Sequence, residues 1–232
     1  MGGSGSLGRR ARVLVTAPRA AGVAGIVSAL LLVASFFLIR RGLGGPPTLE
    51  LLTAGSPAVD DGLLQAGLIL LPYVAITFIW FMGVIRLNYT DPRNELFGTV
   101  FIATGVLFLG ALLVAAAVSN SVIDLRQQQV AGQSGALRLG GGIVYWLLFD
   151  VAPRMAGAFI LITGNLLRRV GLMPTAMASV SVVVGLAMIF VVRRIDWVVF
   201  LFPVWVAAVS ILLLVRQRPD LIDVPASPAG AG

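Results

Sequence analysis

From residue 20 to residue 215 the chain is a series of apolar runs set apart by arginines and short polar stretches. Each run is roughly 20 residues long, and as a helix that length covers the ~30 Å hydrocarbon layer of a bilayer. Lipid offers no hydrogen bonds, so such runs have to satisfy their own backbone as helices. Six are legible: Ala20 to Ile39, Leu63 to Ile85, Phe97 to Ser119, Ile143 to Leu167, Met173 to Val192 and Trp197 to Val215. Of the 17 basic and 10 acidic side chains, only Asp150 and Arg154 fall inside a run.

The expectation is an all-α fold, a polytopic transmembrane bundle of six spans. Composition agrees, with 58% apolar and 12% charged residues in 232, against about a quarter charged in soluble proteins. One membrane domain, 20-215, is expected between a flexible basic cytoplasmic tail, 1-19, and a second flexible cytoplasmic tail, 216-232. The chain has no Cys and no His, which removes disulfides, thiol nucleophiles and imidazole or thiolate metal ligation. No metal and no cofactor are expected. The net charge of +7 sits at the edges of the runs, where basic residues set topology, so it does not call for nucleic acid. All 17 basic residues are Arg, in keeping with a GC-rich bacterial genome.

With the N-terminus inside, ten arginines lie in cytoplasmic segments (9, 10, 12, 19, 86, 93, 168, 169, 216 and 218) and six outside (40, 41, 126, 138, 193 and 194). The excess predicts cytoplasmic N- and C-termini and a multi-pass protein of the cell membrane. Arg9-Arg10 is not read as an export signal, because the apolar run that follows is too long for a signal peptide and ends without a small-residue cleavage site. Met1-Gly2 with Ser6 fits only the bare myristoylation pattern. The connections at 88–95, 168–172 and 193–196 are short enough for antiparallel hairpins. Two longer polar connections, Arg40 to Gly62 and Asn120 to Gly142, are predicted on the outer face.

Span four carries the sharpest signal. Asp150 and Arg154, spaced i and i+4 with the acid first, share a helix face and neutralise each other. Pro153 between them has no N–H, so the carbonyl of Phe149 loses its helical donor and a kink is expected. Counted from Ile143 at ~1.5 Å per residue, Asp150 lies roughly 10 Å deep and Arg154 roughly 16 Å. An intramembrane charge pair marks either a gated or proton-linked site or a buried packing device. Tyr73, Thr77, Asn165 and Ser181 are the polar residues that would line a cavity with it. Small residues one turn apart, Ala21, Gly25 and Ala29, Ala111, Ala115 and Ser119, and Ser181 and Gly185, read as close helix contacts. Trp80, Tyr89, Trp146 and Trp197 read as interfacial aromatics.

Four stretches, Phe78 to Arg86 (FIWFMGVIR), Phe97 to Val118, Arg154 to Pro174 (RMAGAFILITGNLLRRVGLMP) and Phe202 to Leu214 (FPVWVAAVSILLL), resemble in order the recurring segments of an uncharacterised family of bacterial six-helix integral membrane proteins. The resemblance implies six spans and gives Arg154 a counterpart in the Arg-Met-Ala segment. It brings no activity with it. Those proteins often continue with a basic and aromatic stretch after the proline that opens span five, where this chain has Thr175-Ala176-Met177-Ala178.

Two functions fit. One is a small transporter or permease-like protein working through Asp150, Arg154 and the kink at Pro153. The other is a noncatalytic membrane scaffold or accessory subunit, associated with a membrane-protein partner or forming a homo-oligomer. An enzyme is not expected, since no paired carboxylate or Ser-Lys arrangement appears and His and Cys are missing.

Overall fold

The computed structural model describes residues 4–43, 60–89, 95–128, 134–191 and 196–216. Among these residues every regular element is a helix: α1 (Ser4–Gly42), α2 (Asp61–Tyr89), α3 (Glu95–Gln128), α4 (Ser134–Trp146), a π turn (Leu147–Val151), α5 (Ala152–Arg169), α6 (Thr175–Phe190), a 3-10 turn (Asp196–Phe200) and α7 (Leu201–Arg216). α4, the π turn and α5 form one continuous rod. Five rods are long and apolar enough to cross a membrane: Ala20–Gly42, Asp61–Asn88, Leu96–Gln128, Ser134–Arg169 and Trp197–Arg216. α6, with 16 residues, is ~24 Å long at ~1.5 Å per residue.

Local chemistry fixes the α1–α2 and α5–α6 hairpins. The N–H of Asp60 donates to the Gly42 carbonyl (2.7 Å), so α2 starts beside the end of α1. Small residues draw these two helices together: a Cβ on Gly67 would lie 2.9 Å from the Ser35 carbonyl, and Ser35 Oγ donates to the Gly67 carbonyl (2.8 Å). Arg126, near the end of α3, reaches Asp61 at the start of α2 (3.2 Å). The turn after α5 is closed by Gly171 at φ 77, a left-handed conformation that suits glycine after a helix end. Leu172 and Met173 both return N–H bonds to Leu167 (3.0 and 3.2 Å). Arg216 ties the end of α7 to the same turn through the Gly171 carbonyl (3.2 Å).

The centre is aromatic. Phe78 of α2 meets Phe108 of α3 (5.7 Å between ring centroids), Phe159 of α5 (5.1 Å) and Phe202 of α7 (5.7 Å). Phe101 stacks on Phe159 (5.0 Å), and Trp205 closes the cluster edge-on (6.5 Å). All of these side chains are buried. Outward faces are apolar instead: Leu30, Ile76, Trp80, Leu107, Val183, Phe190 and Ile211 are all more than half exposed or wholly at the surface. Large contiguous apolar surface of this kind is unfavourable in water and favourable against lipid tails.

One sequence expectation changes here. The connection expected across 120–142 is mostly helix, because α3 runs to Gln128 and α4 starts at Ser134. Its Gly140 sits where any side chain would run into Val122 (2.5 Å), so this glycine serves a helix contact rather than a loop. The segment expected as a flexible N-terminal tail is helical from Ser4. The tail beyond Arg216 and most of the connection between Arg40 and Gly62 lie outside the described residues.

Candidate functional site: the Asp150–Arg154 turn

Pro153 organises this site. Its missing N–H leaves the carbonyl four residues back without a helical donor, and the chain answers by widening. The five residues before Ala152 wind as a π turn, with the Ala152 N–H donating to Leu147, five residues back. Pro153 then falls in the first turn of α5, the position in a helix that best tolerates proline. The proline therefore acts through a change of winding just before it.

Asp150 and Arg154 meet across this junction, NH2 to Oδ1 at 2.8 Å. Their surroundings differ. The Asp150 side chain is 13% exposed and that of Arg154 43%. Arg154 Nε is buried with no hydrogen-bond partner among the described residues. One arm of the guanidinium thus holds Asp150, while the side chain as a whole stays partly exposed. α3 packs along the π turn.

The pair lies beside the end of α1. Leu148 and Phe149 share a cavity of about 20 Å³ with Ile39, Arg40 and Leu43 from the end of α1 and with Val199 and Phe200. Asp150 is therefore level with the last turn of α1, where Arg40 lies over the Trp197 ring (4.2 Å). The rod that carries the pair begins at Ser134, and its 36 residues make ~54 Å, well beyond a ~30 Å bilayer.

The other polar candidates do not gather here. Tyr73 points outward, 57% exposed. Thr77 Oγ1 bonds to carbonyls of its own helix, Tyr73 (3.0 Å) and Val74 (3.1 Å). Asn165 and Ser181 do come together, in a separate groove of about 300 Å³ between α5 and α6 that Arg168 also lines. Ser181 is buried, accepts a hydrogen bond from Trp205 Nε1 (2.8 Å) and donates to the Met177 carbonyl (2.9 Å). Asn165 is exposed and accepts from Arg169 Nε (3.4 Å). The structure brings Asp150 to Arg154 and Asn165 to Ser181, and it keeps the two pairs apart.

Comparison with known protein families, curated proteins and solved structures finds no match. What the site does therefore rests on its geometry.

Sequence reasoning did not single out the aromatic cluster or the groove at Arg168. Inside an all-apolar span a buried Phe and a lipid-facing Phe read alike. The groove depends on which helices become neighbours, which spacing along one chain does not reveal.

Proposed function

We propose that this chain is a six-span integral membrane protein of the cell membrane, with both termini cytoplasmic. It works without catalysis, as a scaffold or accessory subunit for another membrane protein. The observation that carries this reading is the filled centre: rings from α2, α3, α5 and α7 pack on one another where a substrate path through the bundle would have to run. The Arg154 side chain is partly exposed. Arg154 offers a guanidinium to the lateral surface, and a polar or acidic side chain on a neighbouring transmembrane helix would satisfy it.

The sixth crossing is α6. It starts at the Gly171 turn, where α7 also ends, and Trp197 at the start of the next described element lies beside the end of α1. This arrangement supports a crossing by α6 despite its 16 residues. The resemblance to bacterial six-helix membrane proteins agrees with this count, and no nucleic acid enters the reading.

A photo-crosslinker placed at Val151, 38% exposed beside the pair, tests the partner. Capture in membranes of one defined protein, or of a second copy of this chain, is expected, with loss on Arg154→Gln. Crosslinks to lipid alone would contradict it. Transport is the second reading, favoured by the π turn beside the charge pair, since such turns recur at functional sites. Flux of a solute into vesicles containing the purified chain, abolished by Asp150→Asn, would establish transport in place of the scaffold.

A further inference from the structure

The groove between α5 and α6 combines an apolar stem with a cationic end. Leu161, Ala178 and Val182 line its length, while Asn165 and Arg168 lie at the end nearest the α5–α6 turn. From Arg168 to Leu161 is about 10 Å along the helix, the distance over which an interface gives way to hydrocarbon. The arginines nearby are engaged: Arg169 lies over the Phe97 ring (4.4 Å) and Arg216 donates to Gly171. The Arg168 side chain has neither an ion pair nor a hydrogen bond among the described residues, and it lines the groove. A half-satisfied Asn165 stands one turn away, its oxygen taken by Arg169 and its amide N–H groups still to be used.

We propose that this groove is a binding site for one anionic glycerophospholipid. The phosphate sits on the Arg168 guanidinium, with the Asn165 amide as a second donor, and an acyl chain runs along Leu161, Ala178 and Val182. Charge complementarity selects the anionic headgroup, because basic pockets between transmembrane helices attract acidic lipids. The volume of about 300 Å³ is at the small end for ligand sites, which suits one chain and not a whole bilayer-spanning lipid pair. This inference is independent of the scaffold reading, because it uses neither Asp150 nor Arg154.

Native mass spectrometry of the detergent-purified full chain, with phosphatidylglycerol or phosphatidylcholine added, tests it. Phosphatidylglycerol is expected to be retained roughly fivefold better, the worth of one basic residue at an anionic headgroup. Arg168→Gln removes that preference, and Ser179→Trp, which fills the groove from its exposed edge, lowers retention of both lipids. Arg86→Gln, at the end of another helix, leaves the preference intact. Both groove variants keep the wild-type helix content, since neither site is buried. Equal retention of the two lipids by the wild-type chain would overturn the proposal, as would a preference that survives Arg168→Gln. Displacement of the lipid by inorganic phosphate alone would reassign the site to a free anion, and a photo-crosslinker at Ser179 that captures a protein would reassign it to a partner helix.

Discussion

At the residue scale, the two members of the charge pair are not equivalent. Removing Arg154 leaves Asp150, 9% exposed, without a partner; removing Asp150 leaves a long side chain that is 43% exposed and free to turn its head toward the interface. Arg154→Met is therefore expected to destabilise strongly, by about 3 kcal/mol, the lower end for breaking a buried pair. Asp150→Leu should cost less than half of that, and the double variant should recover most of the loss. Thermal unfolding in one detergent checks the order, and equal effects for the two single changes would show that both groups reach water. The pair was legible in the sequence, because i and i+4 spacing sets the contact whatever the helix does around it. Its place beside the last turn of α1 was not, since that depends on where the rod begins and on how its neighbours are aligned.

Among elements, the crossing of α5 and α6 carries the clearest expectation. A Cβ on Gly157 would lie 2.6 Å from the Gly185 carbonyl, and one on Gly164 would lie 2.9 Å from the Ser181 Cβ. Backbone has little room to move away, so Gly157→Leu should cost at least about 2 kcal/mol by overpacking. Gly110→Leu should be neutral, because nothing lies within 4 Å of its Cβ direction. Monodisperse yield from size-exclusion chromatography separates the two outcomes. Ser181 and Gly185 were readable as a contact pair, because small residues one turn apart are what close helix packing needs. Ala21, Gly25 and Ala29 were too, and they are buried. The π turn was only half readable: Pro153 announces a lost hydrogen bond, and whether the helix bends or widens is settled by its packing against α3.

For the whole molecule, the aromatic centre determines what moves and what does not. Phe78 touches rings from three other helices, so Phe78→Ala should cost about 3 to 5 kcal/mol. Trp205→Phe keeps an aromatic ring but loses the pyrrole part of the indole and its hydrogen bond to Ser181, about 1 kcal/mol for the bond and more for the space left behind. This core was not legible beforehand, because a span that is apolar all round has no periodicity to mark its buried side. Five of the six expected spans were legible as helices long enough to cross, since charge is expensive in lipid and its absence over roughly 20 residues is conspicuous. The short sixth helix decides the topology, and the absence of native Cys allows a clean measurement. Ser4→Cys, Ser134→Cys and Ser227→Cys, made singly, can be labelled with a membrane-impermeant maleimide in right-side-out and inverted vesicles. If α6 completes a crossing, Ser4→Cys and Ser227→Cys label only in inverted vesicles and Ser134→Cys only in right-side-out ones; labelling of Ser4→Cys and Ser227→Cys from opposite faces would mean five crossings and would contradict the six-span bundle.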